Sequence, residues 1–295
     1  MKTLTVFTPS YNRAYTLHKC YESLVNQTSN DFVWLIIDDG SSDNTKELVD
    51  SWIKENKIEI RYFYQENQGM HGAHNTAYKL INTELNVCID SDDYMPVDAV
   101  EKILSFWRKN KRKDLAGIMA LDAYTDGKVI GDKFPNELKE ATYFDIYNKH
   151  NLKGDKKLIY RSELTREFPY PVFEGEKYVS LAYKYAKLDE KYSLALMNEV
   201  VCNVEYMEDG SSLNMLKQYR RNPRGFAFIR IDNLKNPKAS LKFKFKECIH
   251  YVSSSLMIKN KSFLKETPCK ILTILAIPFG ILLYCYILKQ TPDLN

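Results

Sequence analysis

Five short apolar runs separated by four helical patterns occupy the first 121 residues, and that alternation decides what this chain can fold into. Strands are predicted at 4–8, 32–37, 58–64, 86–89 and 115–121, and helices at 14–26, 44–55, 72–81 and 97–109. A repeat of this kind builds a mostly parallel sheet with helices on both faces. Ligands of such sheets bind beyond the carboxyl ends of the strands, so the polar residues just after each run are the candidate site. A chain of 295 residues with 44% hydrophobic content has ample core for this architecture.

The fourth run, Val87-Cys88-Ile89, passes directly into Asp90-Ser91-Asp92-Asp93. Three carboxylates within four positions repel one another, and crowding them at a core strand is costly unless something offsets the charge. A divalent cation is the simplest offset. Mg²⁺ or Mn²⁺ takes one or two protein carboxylates and completes its shell with water and phosphate oxygens. An acidic turn capping the helix after Met95-Pro96 is the structural alternative.

After the first run comes Pro9-Ser10-Tyr11-Asn12-Arg13, in which Tyr11 offers a ring to stack on a base and Arg13 a fork for phosphate. Turn chemistry accounts for Pro9 and Asn12 equally well. After the second comes Asp38-Asp39-Gly40-Ser41-Ser42-Asp43, where Asp43 suits a helix N-cap and Asp39, beside a glycine, can accept a nucleobase ring N–H. After the third, Asn67, Gly69, His71, Gly72 and His74 precede or open a helix whose N-terminal N–H groups favour an anion. His71 reads either as a contact to diphosphate or sugar hydroxyl or as part of a cap, and no zinc spacing accompanies the two histidines. No G-x-G-x-x-G follows the first strand and no G-x-x-x-x-G-K-[ST] is present, which excludes the common dinucleotide and P-loop sites.

These four loops, Thr8-Pro9-Ser10-Tyr11-Asn12-Arg13, Ile37-Asp38-Asp39-Gly40-Ser41-Ser42-Asp43, Asn67-x-Gly69 to Ala73-x-Asn75, and Asp90-Ser91-Asp92-Asp93, resemble in content and order the nucleotide-binding half of glycosyltransferase family 2. The resemblance implies an inverting enzyme with the Rossmann-like GT-A fold, a nucleotide-sugar donor, commonly UDP-linked, and Mg²⁺ or Mn²⁺. It places Pro9, Tyr11, Arg13, Asn67, His71 and Ser91 around the nucleotide. Asp39 falls on the uracil ring N–H, Asp90 near ribose and metal, and Asp92 on the metal, with Asp93 able to exchange roles with it. His74 departs from the family pattern, which often has Arg there.

An inverting transfer needs one carboxylate base. The segment Tyr170 to Tyr178 carries Glu174 and Glu176 ahead of a helical stretch running to Lys187. The acids also suit a helix N-terminus through its dipole. In the resembling family an acidic Glu-Asp pair supplies the base. Here Glu176 matches the first acid, Lys177 stands in place of the second, and Glu174 is the reserve. Residues 191–206 then read as two short strands and 206–212 as a turn. Gln218-Tyr219-Arg220-Arg221-Asn222 echoes the Q-x-x-R-W of processive synthases, with Asn222 replacing the aromatic, which favours transfer of a single residue.

Charge is uneven along the chain. Residues 211–265 hold 13 Lys/Arg against 2 acids, whereas residues 1–210 hold 27 against 34. The cluster Arg108 to Lys113 lacks any nucleic-acid motif and reads as a solvated helix end, so the basic third looks towards phospholipid. Residues 271–288 are uncharged, and Pro278 and Gly280 interrupt them. A short spanning helix, a segment lying in one leaflet and a buried core helix all fit. The lysines ahead of the run place that side in the cytoplasm. The six scattered cysteines and the absence of an apolar leader agree with a reducing compartment.

The expected organisation is a nucleotide-sugar-binding half at 1–121, an acceptor-binding half at 122–207, a basic helical extension at 208–268 and a membrane-associated segment at 269–295. The expected function is transfer of one sugar from a UDP-sugar to a glycan or lipid-linked glycan acceptor at the cytoplasmic face of the membrane, in capsule or other surface polysaccharide assembly. A membrane-tethered nucleotide-sugar-binding protein without transfer activity is the alternative.

Overall fold

The computed structural model describes residues 2–207 and 214–294, the side chain of Asp293 apart. In chain order it contains β1 (Leu4–Ser10), α1 (Ala14–Val25), β2 (Phe32–Asp38), α2 (Thr45–Glu55), β3 (Ile60–Tyr64), α3 (Met70–Leu80), β4 (Leu85–Cys88), α4 (Ala99–Asn110) and β5 (Leu115–Tyr124). Then follow β6 (Glu140–Ala141), α5 (Tyr143–Asn148), β7 (Lys156–Arg161), α6 (Ser162–Thr165), α7 (Ala182–Asp189) and β8 (Ser193–Val204). Five helices complete the chain, α8 (Met215–Arg221), α9 (Pro223–Leu234), α10 (Leu241–Met257), α11 (Phe263–Glu266) and α12 (Lys270–Gln290).

All eight strands join one sheet in the order β3-β2-β1-β4-β7-β5-β8-β6. Neighbours from β3 to β4 are parallel, as are β5 and β8, while β7 runs antiparallel between β4 and β5 and β6 antiparallel to β8. The alternation therefore predicts the first nine elements to within two residues at most boundaries. Two expectations change. Residues 191–206 form the single strand β8, whose register with β5 is broken by irregularities that blur its alternation. The helix expected directly after Glu176 begins only at Ala182, leaving both acids in irregular chain. Most of the turn read at 206–212 lies outside the described residues.

The chain divides into two compact units, one of Met1–Pro169 with Lys184–Tyr206 and one of Tyr170–Tyr183 with Met207–Asn295. The sheet lies wholly in the first. In β1, Leu4 and Val6 meet Leu17, Cys20 and Leu24 of α1, whereas Phe7 faces the other way, edge-on to His74 and Tyr78 of α3 at 5.0 and 5.4 Å between ring centres. The period of two thus buries β1 on both faces. Pro9 is tolerated in a central strand because the ladder to β4 ends at Phe7. Under β2, Tyr21 stacks on Trp52 at 4.3 Å and Trp34 lies 5.8 Å from Trp52, its indole N–H donating to Thr8 Oγ1 at 3.0 Å.

A buried charge cluster sits between β7 and the acidic end of β4. Lys157 Nζ lies 3.6 Å from Asp93 Oδ2 and 3.8 Å from Asp122 Oδ1, with all three side chains largely withdrawn from water. The Glu205 amide donates to Asp93 Oδ1 at 3.2 Å. Burial raises the Asp93 carboxyl against the pull of Lys157 and pushes Asp122 up to about 6, while the surrounding carboxylates hold Lys157 firmly protonated despite its burial.

In the second unit α9 and α10 share a two-oxygen ion pair, Arg230 Nη1 to Glu247 at 2.9 and 3.0 Å, with Asn233 donating to the same carboxylate at 2.8 Å. Leu234, Cys248 and Ala276 form a small core where α9, α10 and α12 meet.

Truncating Trp34 to Ala removes a fully buried ring of the aromatic cluster and should cost about 3–5 kcal/mol, read from the denaturant midpoint. Replacing Lys157 with Met leaves two buried carboxylates without their cation and should cost about 3–5 kcal/mol at pH 8. Those carboxyls then have folded-state pKa values raised further above the unfolded ones, so the folded variant takes up protons first and its deficit should shrink as the pH falls from 8 to 5. Denaturation curves for both proteins at the two pH values measure it; a deficit that grew on acidification would contradict this assignment of charge.

Candidate active site

The loops after β1, β2 and β3 are tied together by their own polar atoms. Asn12, at φ +52°, accepts from the Ser42 amide at 2.7 Å and the Asp43 amide at 3.3 Å, and its own amide donates to Ser41 Oγ at 2.9 Å. Asp43 accepts from the Ala14 amide at the start of α1 and from the Thr45 amide at the start of α2, both at 3.1 Å. One carboxylate thus serves two helix N-termini, where orphan N–H groups and the macrodipole both favour it. Burial opposes this charge, yet the hydrogen bonds from Thr45 and Ala14 prevail and hold the Asp43 carboxyl below its usual range. Gly40, at φ +86°, is needed where these loops crowd, since a Cβ there would lie 2.9 Å from the Asn67 amide nitrogen.

Asp39 is buried at the end of β2. It accepts from Gln65 Nε2 at 2.6 Å and from the Gln68 and Gly69 amides at 2.9 and 2.8 Å, just ahead of α3. A nucleobase N–H would share the carboxylate with these donors. Its neighbour Asp38 accepts from Tyr62 Oη at 2.5 Å and the Ser41 amide at 2.8 Å, so it holds the loop. Tyr11 projects into solvent with 51% of its surface exposed, and Arg13, half-buried, lies 5.6 Å from the Tyr15 ring centre. Asn67 is half-buried at the same end of the sheet.

His71 and His74 are both inside the protein on α3. His74 Nδ1 lies 3.2 Å from Tyr78 Oη, and burial lowers its pKa to about 4, so it is neutral at physiological pH. An Arg at this position would have to place a charge against Phe7 and Tyr78, which is a physical reason for the departure from the family pattern.

At the end of β4 the carboxylates separate by direction. Asp90 is exposed and Asp92 half-buried, whereas Asp93 turns inward to Lys157 and Ser91 is buried. The Asp93 amide closes the turn onto the Asp90 carbonyl at 3.0 Å. Asp93 is therefore engaged in the interior by Lys157. Among the described residues no three His, Cys, Asp or Glu side chains converge as a closed cage. Two outward carboxylates suit a hard cation that completes its shell with phosphate and water.

Glu176 occupies a different setting in the second unit. Its oxygens accept from the Arg224 and Gly225 amides, each at 2.8 Å, at the N-terminus of α9. Burial raises its pKa against the lowering effect of those two amides. Asn222 accepts from the Lys177 amide at 2.8 Å and donates to Gln218 Oε1 at 2.9 Å, so the Gln218 to Asn222 stretch braces the Glu176 segment. Glu174 is exposed. Sequence reasoning missed Lys157 and the Arg224 and Gly225 amides. Only the Pro223-Arg224-Gly225 start of α9 carried a signal, a proline at the first helical turn.

The sequence profile described as Glycosyl transferase family 2 matches residues 5–161, more than half of the chain. Chondroitin synthase of Escherichia coli is 31% identical over 149 residues, 50% of this chain but 20% of that protein, so this chain spans a fifth of the synthase's length. The putative teichuronic acid biosynthesis glycosyltransferase TuaG of Bacillus subtilis is 27% identical over 238 residues, 80% of this chain and 91% of that one. Among solved structures, S. aureus TarS 1-349 in complex with UDP-GlcNAc has a TM-score of 0.63 at 17% identity, covering 99% of this chain and 92% of that one. That likeness is one of fold, the GT-A fold. The profile match takes in the Asn12, Asp39 and Asp90–Asp93 loops together with the strands that carry them, and on that ground the chain belongs to glycosyl transferase family 2.

Proposed function

We propose that this chain moves a single sugar, with inversion, from a UDP-sugar to a membrane-associated glycan acceptor, in the assembly of a surface polysaccharide such as a capsule. The observation that carries this reading is the division of labour at the end of β4, the exposed Asp90 and half-buried Asp92 beside an Asp93 that is paired internally with Lys157. The naming of chondroitin synthase and TuaG supports the polysaccharide, and the UDP-GlcNAc complex of TarS supports the donor.

Asp90 and Asp92 would hold Mg²⁺ or Mn²⁺, which supplies positive charge against the departing diphosphate. The residues of the chain do the rest. Tyr11 offers its exposed ring to the base, Arg13 its guanidinium to phosphate, and Asp39 its carboxylate to a ring N–H. Glu176 takes the proton of the attacking hydroxyl, and its raised pKa strengthens it as a base. Its two amide contacts favour a second assignment within the same reaction, in which Glu176 only caps α9 and the exposed Glu174 is the base. The basic third and α12 would keep the enzyme on the cytoplasmic face of the membrane, beside a lipid-linked acceptor.

UDP should bind more tightly with Mn²⁺ than without, and Asp92→Asn should abolish that difference in calorimetry. Equal UDP affinity for both proteins with and without Mn²⁺ would remove the metal site. In Glu176→Gln, turnover of the accepted UDP-sugar should fall by roughly 10²–10⁴ with KM little changed, as for loss of a general base. The cap reading predicts instead a lowered melting temperature with turnover preserved, and a loss of turnover in Glu174→Gln.

A further inference from the structure

The two edges of α12 have opposite characters. Thr273, Ala276, Gly280 and Ile287 are buried, and they fall on one side of the helix at spacings of three, four and seven. This side lies against α10: Thr273 Oγ1 is 3.4 Å from Cys248 Sγ, and a Cβ on Gly280 would come within 2.5 Å of the Val252 side chain. The opposite side presents Ile271, Ile274, Leu275, Phe279, Leu282 and Tyr286 to the outside, with Ile271 at 76% and Leu282 at 67% exposure. At 100° per residue these six positions cover about half the circumference.

Length does not decide how such a helix meets a bilayer, because 21 residues reach about 32 Å, enough to cross. Attachment does. α10 runs beside α12 and carries Glu247, which is buried in the ion pair with Arg230, as well as exposed Lys242 and Lys246. Drawing α12 across the hydrocarbon would either pull these charges in with it or strip α12 from its partner. Arg220 also donates to the Thr291 carbonyl at 2.7 Å and to its Oγ1 at 3.1 Å, fixing the end of the helix to α8. Charge identifies the occupant of the free side: Lys259, Lys261, Lys265, Lys270 and Lys289 flank the apolar stripe in sequence against the acids Glu266 and Asp293. That combination suits a surface of anionic phospholipid.

We propose that α12 does not span the membrane but lies in its plane, the Ile271 to Tyr286 stripe sunk among the acyl chains of anionic lipid and the Thr273 to Ile287 side held by α10. This rests on the membrane reading given under the proposed function and sharpens it.

The test uses the full chain with vesicles of phosphatidylcholine and phosphatidylglycerol. Cysteine variants at Ile271, Leu275, Leu282 and Tyr286, made on a Cys88→Ser, Cys269→Ser, Cys285→Ser background that leaves only the buried Cys20, Cys202 and Cys248, carry an environment-sensitive dye whose depth is read by spin-labelled lipids. An in-plane helix places all four at one shallow depth, about 5–10 Å below the headgroups. A spanning helix instead sets Ile271 and Tyr286 about 22 Å apart along the bilayer normal, and that result would overturn the proposal while leaving membrane binding intact. The double variant Leu275→Glu, Leu282→Glu should lose at least tenfold in vesicle affinity while still binding UDP. No vesicle binding by the native chain would sink the membrane reading itself. Lipid-free dimers that vanish in the double variant, without vesicle binding, would assign the stripe to a second copy.

Discussion

Three aspartates at the end of a buried strand can coexist only if their charges are sent in different directions, and the pairing of Lys157 with Asp93 is what sends them. Lys157 comes from β7, the strand that runs antiparallel between β4 and β5. An all-parallel order would not bring that ammonium to this place. With Asp93 drawn inward and Asp122 sharing the same cation, Asp90 and Asp92 are left facing outward with less mutual repulsion. The pair is expensive as a source of stability, because desolvation consumes much of the Coulomb gain. Its value lies in fixing where the remaining carboxylates point.

Other carboxylates, in both units, are set by a second, repeated device. Asp43 serves the starts of α1 and α2, Asp39 accepts the amides just ahead of α3, and Glu176 accepts the first free amides of α9. In each case a helix N-terminus offers N–H groups that have no partner within the helix, and a carboxylate satisfies them. Such an acid is held in one orientation before any ligand arrives. The arrangement also blurs the line between capping and chemistry, since the hydrogen bonds that orient Glu176 also weaken it as a base. Burial works the other way, and the net upward shift of its pKa shows which prevails.

Legibility in the sequence follows the range of the interactions involved. The first nine elements are readable because hydrophobic period and turn residues are local, and Pro9, Tyr11, Arg13, Asp39, Asn67, Asp90 and Asp92 stand at strand ends that the alternation alone locates. His71 shows the limit: it sits in the right loop by sequence, yet the first turn of α3 carries it indoors. The structural roles of Lys157 and Asn222 are invisible for a different reason. Each looks like an ordinary polar residue until the fold brings a partner from 64 or 45 positions away, Asp93 in one case and Lys177 in the other. The single strand β8 was obscured because its bulges shift the face of successive residues, so a period of two applied across them reads as a break.

The second unit shows how one short motif can be used twice. Within Gln218 to Asn222, Asn222 braces the Glu176 segment through the Lys177 amide, while Arg220, on α8, holds the carbonyl end of α12 through Thr291. An aromatic residue in place of Asn222 could not accept that amide, so the departure from the processive pattern carries a structural gain along with the loss of a stacking ring. The catalytic candidate and the apolar helix are therefore anchored from a single stretch of chain.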